Sequence, residues 1–464
     1  MIKKPTVQTI LDAKAAGNAK PAYFSPAGPL IGRTRVPGDK SISHRALILS
    51  SLAIGKSEIS GLLEGEDVLA TAAALRAMGA KIEQKDNLWT VHGVGVGGLM
   101  QPETAIDLGN SGTSVRLLMG LVASHDISVT FLGDASLSKR PMGRVIDPLT
   151  AMGADFTARI TADDQACLPL TVRGLCPAVP LEYRLPVASA QVKSAILLAG
   201  LNTPGITRVI EPVPTRDHSE TMLKGFGADI SVEIDGQDNR IISLVGEAEL
   251  EPQNITVPGD PSSAAFPVVA ALLVPGSDIV VENIGINDTR AGLFTVLQEM
   301  GGDIRFENRR TVGGEPVADI HVKHSKLKGI DVPAGIAPSM IDEFPILFVA
   351  AALAEGQTIT SGLSELRVKE SDRLSQMAEG LIMLGADVSE NADGLTINGS
   401  GGKPLRAQTD GAMIKTALDH RIAMSFAIAG LVSETGVSVD DMSPTETSFP
   451  GFSDMLAALQ SSTR

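Results

Sequence analysis

Two cations stand where a helix least favours them. Pro37-Gly38-Asp39-Lys40-Ser41-Ile42-Ser43-His44-Arg45 ends a strand and opens a helix, and the partial positive charge of a helix N-terminus disfavours Lys40 and Arg45 there by up to about 1 kcal/mol. An anion held between the free N–H groups and the two side chains reverses that penalty. The pattern recurs along the chain, with Arg116, Lys193 and Arg421 in other first helical turns where a purely structural turn would favour Asp or Glu. Cations also collect in the loops Ser138-Lys139-Arg140-Pro141-Met142-Gly143-Arg144, Thr215-Arg216-Asp217-His218 and Leu366-Arg367-Val368-Lys369-Glu370-Ser371-Asp372-Arg373. Any one of these loops could be a solvated face with helical ion pairs; their recurrence at equivalent places favours anion binding. Asn110-Ser111-Gly112-Thr113 is a small-residue turn that lets a ligand approach backbone N–H groups. Ser189-Ala190-Gln191 offers a hydroxyl and an amide to a polyol or a phosphate. Asp342 and Glu343 stand at a helix start, where N-capping is the simpler role. Glu370, between Lys369 and Arg373, and Asp342 are the carboxylates suited to acid–base work beside cations that hold an anionic substrate.

The elements that position these residues repeat. Helix endings recur at Met78-Gly79-Ala80, Met152-Gly153-Ala154, Phe226-Gly227-Ala228, Met300-Gly301-Gly302 and Leu384-Gly385-Ala386, in three steps of 74 residues and one of 84. Each is a helix stopped by a C-cap glycine and followed by a strand. Upstream, Val36-Pro37-Gly38-Asp39 has a near copy in Val257-Pro258-Gly259-Asp260, and looser versions start at Leu108, Leu185, Val332 and Ala417. That makes six units. In the first, apolar spacing predicts helices over Ser41 to Ala53 and Asp67 to Met78, with strands near Ser57 to Leu62, Ala80 to Glu83 and Leu88 to His92. The order is β-α-β-α-β-β, in a globular stack with helices packed inside sheets. The sixth unit ends after a helix over Phe452 to Gln460, so its last strands are missing. An uncovered sheet edge invites pairing, and the segment before Val36 is expected to fill it. The predicted domains are 38–256, and 1–37 with 257–464, with the two Val-Pro-Gly-Asp copies as crossings of one hinge near 36–39 and 256–260.

Length and composition bound the partners. A chain of 464 residues can bury a sizeable core. Cys167 and Cys176 are too few for a disulfide framework or a zinc site and fit a reducing compartment. With a net charge of −15, 3% aromatics and the single tryptophan Trp89, the chain supplies neither a phosphate-tracking surface nor a base-stacking platform for nucleic acid. No apolar run reaches the roughly 18 residues of a membrane helix, and Met1 to Leu30 lacks a signal-peptide core. A cytoplasmic location, no membrane association and no metal are expected. Gly38-Asp39-Lys40-Ser41 is not a nucleotide P-loop, because Asp39 interrupts the required Gly-Lys-Ser.

In order and spacing, these motifs resemble the 5-enolpyruvylshikimate-3-phosphate (EPSP) synthase family over nearly the whole chain. The matches are Pro37 to Arg45, Gly109-Asn110 with Gly112-Thr113 and Arg116, Lys139 to Arg144, Ser189 to Lys193, Thr215 to His218, Arg367 to Leu374, and Asp419 to Ala423. The resemblance implies an α/β fold of two domains, each of three β-α-β-α-β-β units in pseudo-threefold array, an inside-out α/β barrel that closes on its substrates. It also implies enolpyruvyl transfer from phosphoenolpyruvate to the 5-hydroxyl of shikimate 3-phosphate, without metal or organic cofactor, by a monomer that glyphosate inhibits. By matching position, Lys40, Ser41, Arg45, Ser189, Ala190, Gln191, Arg216, Asp342 and Lys369 would bind shikimate 3-phosphate. Lys40, Asn110, Gly112, Arg140, Gln191, Arg373 and Arg421 would bind phosphoenolpyruvate. Asp342 would accept the 5-hydroxyl proton with Lys369 nearby, and Glu370 would exchange the proton at the enolpyruvyl methylene carbon. Mutual repulsion of Lys40, Arg45, Arg140, Arg373 and Arg421 is expected to keep an empty cleft open. Leu63-Glu64-Gly65-Glu66-Asp67-Val68 and Ser339-Met340-Ile341-Asp342-Glu343 resemble the glyphosate-tolerant, class II branch. Two positions depart from the pattern: Gly112 stands where tolerant members carry Ala, and Glu446-Thr447-Ser448-Phe449-Pro450 lacks the Lys that many members place before this turn. Two rivals remain open at this point: the sister enzyme acting on UDP-N-acetylglucosamine, whose second-unit loop usually carries a Cys that 135–144 lacks, and a non-catalytic repeat protein that binds polyanions.

Overall fold

Apolar residues on every side of a helix bury it completely, and the first helix of each unit has that composition. Pro261–Leu273, Phe344–Leu353 and His420–Leu431 are buried at every residue, and Lys40–Leu52 from Ile42 onward. The sheets lie outside these helices and show the alternation of a half-solvated surface, as in Ser128–Leu132 and Ile206–Glu211. The computed structural model describes residues 19–312, 314–408 and 412–461. The expected N-terminal segment therefore includes 1–18, which lie outside the described residues.

The unit order β-α-β-α-β-β holds, with first-unit boundaries no more than three residues from those predicted. In the first unit the helices are Lys40–Leu52 and Glu66–Ala77 and the strands Ile54–Ser60, Lys81–Lys85 and Leu88–Val94. Among the described residues there are six sheets, one to a unit. In the second unit Ile106–Asp107 runs parallel to Ser128–Leu132, which pairs antiparallel with Ala166–Arg173, and that in turn with Asp155–Ile160. The third repeats this with Glu182–Arg184, Ile206–Glu211, Arg240–Val245 and Ile230–Ile234.

In the sheet of the sixth unit Ala22–Phe24, from the segment before Val36, pairs antiparallel with Val437–Val439, Tyr23 opposite Ser438. The sequence did not suggest what happens to the strands that lead into units one and four. Ile31–Thr34, which precedes the first unit's helix, pairs parallel with Asp278–Gly285 of the fourth unit. Asn254–Thr256, which precedes the fourth unit's helix, pairs parallel with Ile54–Ser60 of the first. Each crossing thus leaves a strand behind in the sheet of the other copy.

The chain divides into two compact units. One contains Gly38–Pro258 and Thr311–Glu315, the other the remaining residues, including Gly259–Arg310 and Pro316 onward. Each has its own apolar core, one built from residues between Ile42 and Val257, the other from Leu30 and residues between Ala264 and Leu459. Cys167 is buried, Cys176 exposed, and neither is in a disulfide. No helix among the described residues is long and apolar enough to cross a membrane, and no group of three or more His, Cys, Asp or Glu there could hold a metal ion.

Candidate active site

In the unit formed mainly by 38–258, three helix starts carry the expected ligands. Asp39 caps the helix Lys40–Leu52 by accepting from the Ile42 N–H at 2.9 Å. Lys40 forms an ion pair with Asp67, at the start of the following helix. Arg45 is 7% exposed and each of its nitrogens donates: Nε to Ser219 Oγ at 2.8 Å, Nη2 to Ser194 Oγ at 2.7 Å and Nη1 to the Ser41 carbonyl at 2.9 Å. Between these cations, His44 is fully buried with Nδ1 2.8 Å from Thr71 Oγ1. Burial, and then the charges of Lys40 and Arg45, hold its imidazole well below the ordinary histidine range. His44 therefore adds no third positive charge at neutral pH.

The second and third helix starts are connected. Ser111 caps Gly112–Ala123, and Asn110 is fixed from both sides: its Nδ2 donates to Asp134 Oδ2 at 2.7 Å and its Oδ1 accepts from Arg140 Nη2 at 2.6 Å. Arg116 Nη1 donates to Gln191 Oε1 at 2.9 Å, and Gln191 Nε2 to Thr113 Oγ1 at 3.1 Å. Ser189 caps Ala190–Leu201, so Ser189, Ala190 and Gln191 follow one another into that helix. A Cβ at Gly112 would lie 2.9 Å from Arg116 Nη1 and 3.0 Å from Arg140 Nη1; glycine leaves that space to two guanidinium groups. Arg216 lies half-buried on the loop between Ile206–Glu211 and His218–Gly225, and Lys139 is exposed.

In the other unit Arg373 is the hub. It opens the helix Arg373–Met383, is 1% exposed, and donates from Nε to Asp419 Oδ2 at 2.8 Å, from Nη2 to Glu370 Oε2 at 2.5 Å and from Nη1 to Asp342 Oδ1 at 3.2 Å. Lys369 Nζ stands 3.5 Å from the same Asp342 oxygen. Burial pushes the Arg373 guanidinium down, but Asp419, Glu370 and Asp342 together outweigh it and hold the group firmly protonated. Asp419 also caps His420–Leu431 through the Arg421 N–H at 2.9 Å and accepts from Ser371 Oγ at 3.0 Å. Arg421 Nη1 lies 3.7 Å from Glu343 Oε1 and donates to the Ser262 carbonyl at 3.3 Å. Asp342, Lys369, Glu370 and Arg373 thus form one cluster of two carboxylates, an ammonium and a guanidinium.

Two expectations need correction. Lys193 is no surface ligand: it is fully buried and paired with Glu211 and Glu220 at 3.0 and 2.8 Å. Nor are the cations bare. Lys40 has Asp67, Arg373 has three carboxylates, and Arg421 has Glu343, because an uncompensated charge in a buried position costs several kcal/mol. Repulsion among Lys40, Arg373 and Arg421 is therefore offset by these carboxylates. Sequence reasoning missed the partners Asp67, Asp134, Ser194, Ser219 and the anchoring role of Asp419. Asp419 did carry a signal, an Asp directly before a cationic helix start, as at Asp39-Lys40.

A family model described as EPSP synthase (3-phosphoshikimate 1-carboxyvinyltransferase) matches residues 24–456. The chain belongs to the EPSP synthase family. Within it, a 3-phosphoshikimate 1-carboxyvinyltransferase of Sphingopyxis alaskensis is 67% identical over 443 residues, covering 95% of this chain and 99% of the relative. One of Novosphingobium aromaticivorans is 66% identical, covering 94% and 98%. An EPSP synthase structure from Acinetobacter baumannii superposes with a TM-score of 0.82 at 47% identity, covering 94% of this chain and 97% of that one. The enolpyruvyl transferase NikO from Streptomyces tendae shares the fold, with a TM-score of 0.74 at 20% identity over 95% and 98% of the two chains. The helix starts that carry cations therefore belong to the EPSP synthase family fold.

Proposed function

We propose that the chain transfers the enolpyruvyl group of phosphoenolpyruvate to the 5-hydroxyl of shikimate 3-phosphate, giving 5-enolpyruvylshikimate 3-phosphate and phosphate in aromatic amino acid biosynthesis. Membership of the EPSP synthase family at 67% identity to a 3-phosphoshikimate 1-carboxyvinyltransferase carries this reading. The chemistry is addition followed by elimination. The 5-hydroxyl oxygen attacks C2 of phosphoenolpyruvate while its proton leaves to Asp342, and C3 gains a proton through Glu370. The C2–O bond to phosphate then breaks as C3 gives a proton back. Arg373 beside both carboxylates, and Lys369 beside Asp342, stabilise the developing charge of the tetrahedral intermediate.

Shikimate 3-phosphate is assigned to Lys40, Ser41, Arg45, Ser189, Ala190, Gln191, Arg216, Asp342 and Lys369. Phosphoenolpyruvate is assigned to Lys40, Asn110, Gly112, Arg140, Gln191, Arg373 and Arg421. Their fixed geometry supports these roles: Asn110, Arg140 and Arg373 are held by side chains of the same unit, so little ordering remains for the ligand to impose. The residues assigned to the two substrates come from both units, and the hinge is assigned to 36–39 and 256–260. The motifs Leu63 to Val68 and Ser339 to Glu343 support a reading close to the class II branch, and Gly112 supports glyphosate sensitivity. We assign the protein to the cytoplasm as a monomer, which an elution mass near 48.3 kDa would check.

The decisive assay is phosphate release from phosphoenolpyruvate. It should require shikimate 3-phosphate and fall by roughly 100-fold or more in Glu370→Ala and Lys40→Met. Release that ignores shikimate 3-phosphate, or that responds instead to UDP-N-acetylglucosamine, would overturn the assignment.

A further inference from the structure

The buried charge cluster around Lys193 takes no part in the chemistry above, yet it lies along the seam that holds Arg45. Lys193 Nζ reaches Glu211 Oε1 at 3.0 Å, Glu211 Oε2 at 3.1 Å and Glu220 Oε1 at 2.8 Å, and all three side chains are 5% exposed or less. Lys193 is in the first turn of Ala190–Leu201, Glu211 ends the strand Ile206–Glu211, and Glu220 is in the first turn of His218–Gly225. Thr215 Oγ1 donates to Glu211 Oε1, and Arg240 Nη2 lies 3.6 Å from Glu220 Oε1. Two of the three ion-paired residues, Lys193 and Glu220, have as chain neighbour a serine that grips Arg45. Ser194 follows Lys193, Ser219 precedes Glu220, their hydroxyls are 2.7 Å apart, and Arg45 Nη2 and Nε donate to them at 2.7 and 2.8 Å.

We infer that Lys193 is a positioning residue for shikimate 3-phosphate: its ion pairs to Glu211 and Glu220 lock together the two segments on which Ser194 and Ser219 hold the Arg45 guanidinium. The lock also fixes the start of the helix bearing Ser189 and Gln191 and both ends of the loop bearing Arg216. The inference rests on the assignment of these residues to shikimate 3-phosphate. Burial pushes the Glu211 carboxyl up, against Lys193 and Thr215, which pull it down. Without Lys193, Glu211 and Glu220 would face each other with the Arg240 guanidinium, 3.9 and 3.6 Å away, in place of the closer Lys193 contacts, and the seam between their segments would loosen.

The test is calorimetric binding of shikimate 3-phosphate to the full-length protein, together with steady-state phosphate release. For Lys193→Met, the dissociation constant and KM for shikimate 3-phosphate should rise by about ten- to a hundredfold, as when a hydrogen bond to a charged group is lost. KM for phosphoenolpyruvate should rise by a clearly smaller factor, since of the residues assigned to it Gln191 lies on the helix start that Lys193 fixes, whereas Asn110 and Arg140 are held by other partners. If Lys193→Met does not fold, the isosteric Glu220→Gln keeps the Lys193–Glu211 pair and should still weaken shikimate 3-phosphate alone by severalfold. Ser219→Ala, which removes the acceptor of Arg45 Nε, should do the same. Unchanged shikimate 3-phosphate affinity in Lys193→Met, or in Glu220→Gln where the former does not fold, would overturn the inference alone. So would an equal rise in both KM values, which marks a purely structural cluster. A wild-type protein that fails to bind shikimate 3-phosphate would overturn the underlying assignment instead.

Discussion

At the scale of single residues, Lys40 lies where the two substrates' assignments overlap, and its ion pair with Asp67 decides what its removal would do. Lys40→Met leaves Asp67 without its cation but leaves Arg45, Ser194 and Ser219 untouched. Turnover should therefore fall far more than shikimate 3-phosphate affinity, and steady-state kinetics showing the reverse would refute the division of roles. Gly112→Ala places a methyl group against Arg116 Nη1 and Arg140 Nη1. Both guanidinium groups can swing by tenths of an ångström, so the fold should survive while the space beside them shrinks. The glyphosate inhibition constant should rise by tenfold or more, since each 1.4 kcal/mol of lost contact is a factor of ten; an unchanged constant would defeat the steric argument. His44 supplies a pH dependence. Its imidazole titrates lower in the folded protein than the ordinary 6.5 of an unfolded chain. Between those values the unfolded chain binds a proton that the native state refuses, so stability is full above pH 6.5 and declines as pH falls below it, by at most about 1.4 kcal/mol per pH unit. Urea midpoints at pH 7.5 and 5.5 should differ more for the wild type than for His44→Gln; equal differences would count against the buried neutral imidazole.

Helix starts and helix endings were the elements most legible in the sequence, because both are local. A C-cap glycine or an N-cap Asp acts on residues three or four away, so Gly79, Asp39 and the predicted helices of the first unit fell within one or two residues of Glu66–Ala77 and Lys40–Leu52. Strand partners were less legible. That Ile31–Thr34 would pair with Asp278–Gly285, and Asn254–Thr256 with Ile54–Ser60, depends on contacts some 200 residues apart, and no spacing encodes them. The same limit hid the site's internal partners. Lys193 looked like Arg116 and Arg421 because its position in the unit is the same; only the fold brings Glu211 and Glu220 to it. Close helix packing is a further long-range fact. A Cβ at Gly120 would lie 2.2 Å from the Ala195 carbonyl oxygen and 2.6 Å from its Cα, whereas one at Gly225 meets nothing within 4 Å. Both glycines are helical. Gly120→Ala should destabilise by about 1 to 3 kcal/mol through overpacking against backbone, and Gly225→Ala should stabilise by about 0.5 to 1 kcal/mol through helix propensity. Chemical denaturation of the pair checks the contrast, and destabilisation by both would remove it.

At the scale of the whole molecule, the two compact units have separate apolar cores, yet the residues assigned to shikimate 3-phosphate are divided between them. Ser41, Arg45, Ser189, Gln191 and Arg216 belong to one unit, and Asp342 and Lys369 to the other. A ligand that engages the native state of both must stabilise both against local opening. At a hundred times its dissociation constant it contributes about 2.7 kcal/mol. Amide hydrogen exchange with saturating shikimate 3-phosphate should therefore slow at Ser41 to Arg45 and Ser189 to Gln191, and also around Asp342 and Lys369. Protection that extended further around Arg373 and Arg421 on adding phosphoenolpyruvate would follow from the second set of ligands. Slowing confined to the unit that contains Arg45 would mean that Asp342 and Lys369 do not touch shikimate 3-phosphate. Asp342 would then lose its role as acceptor of the 5-hydroxyl proton, and Glu370 would be the carboxylate left to carry it.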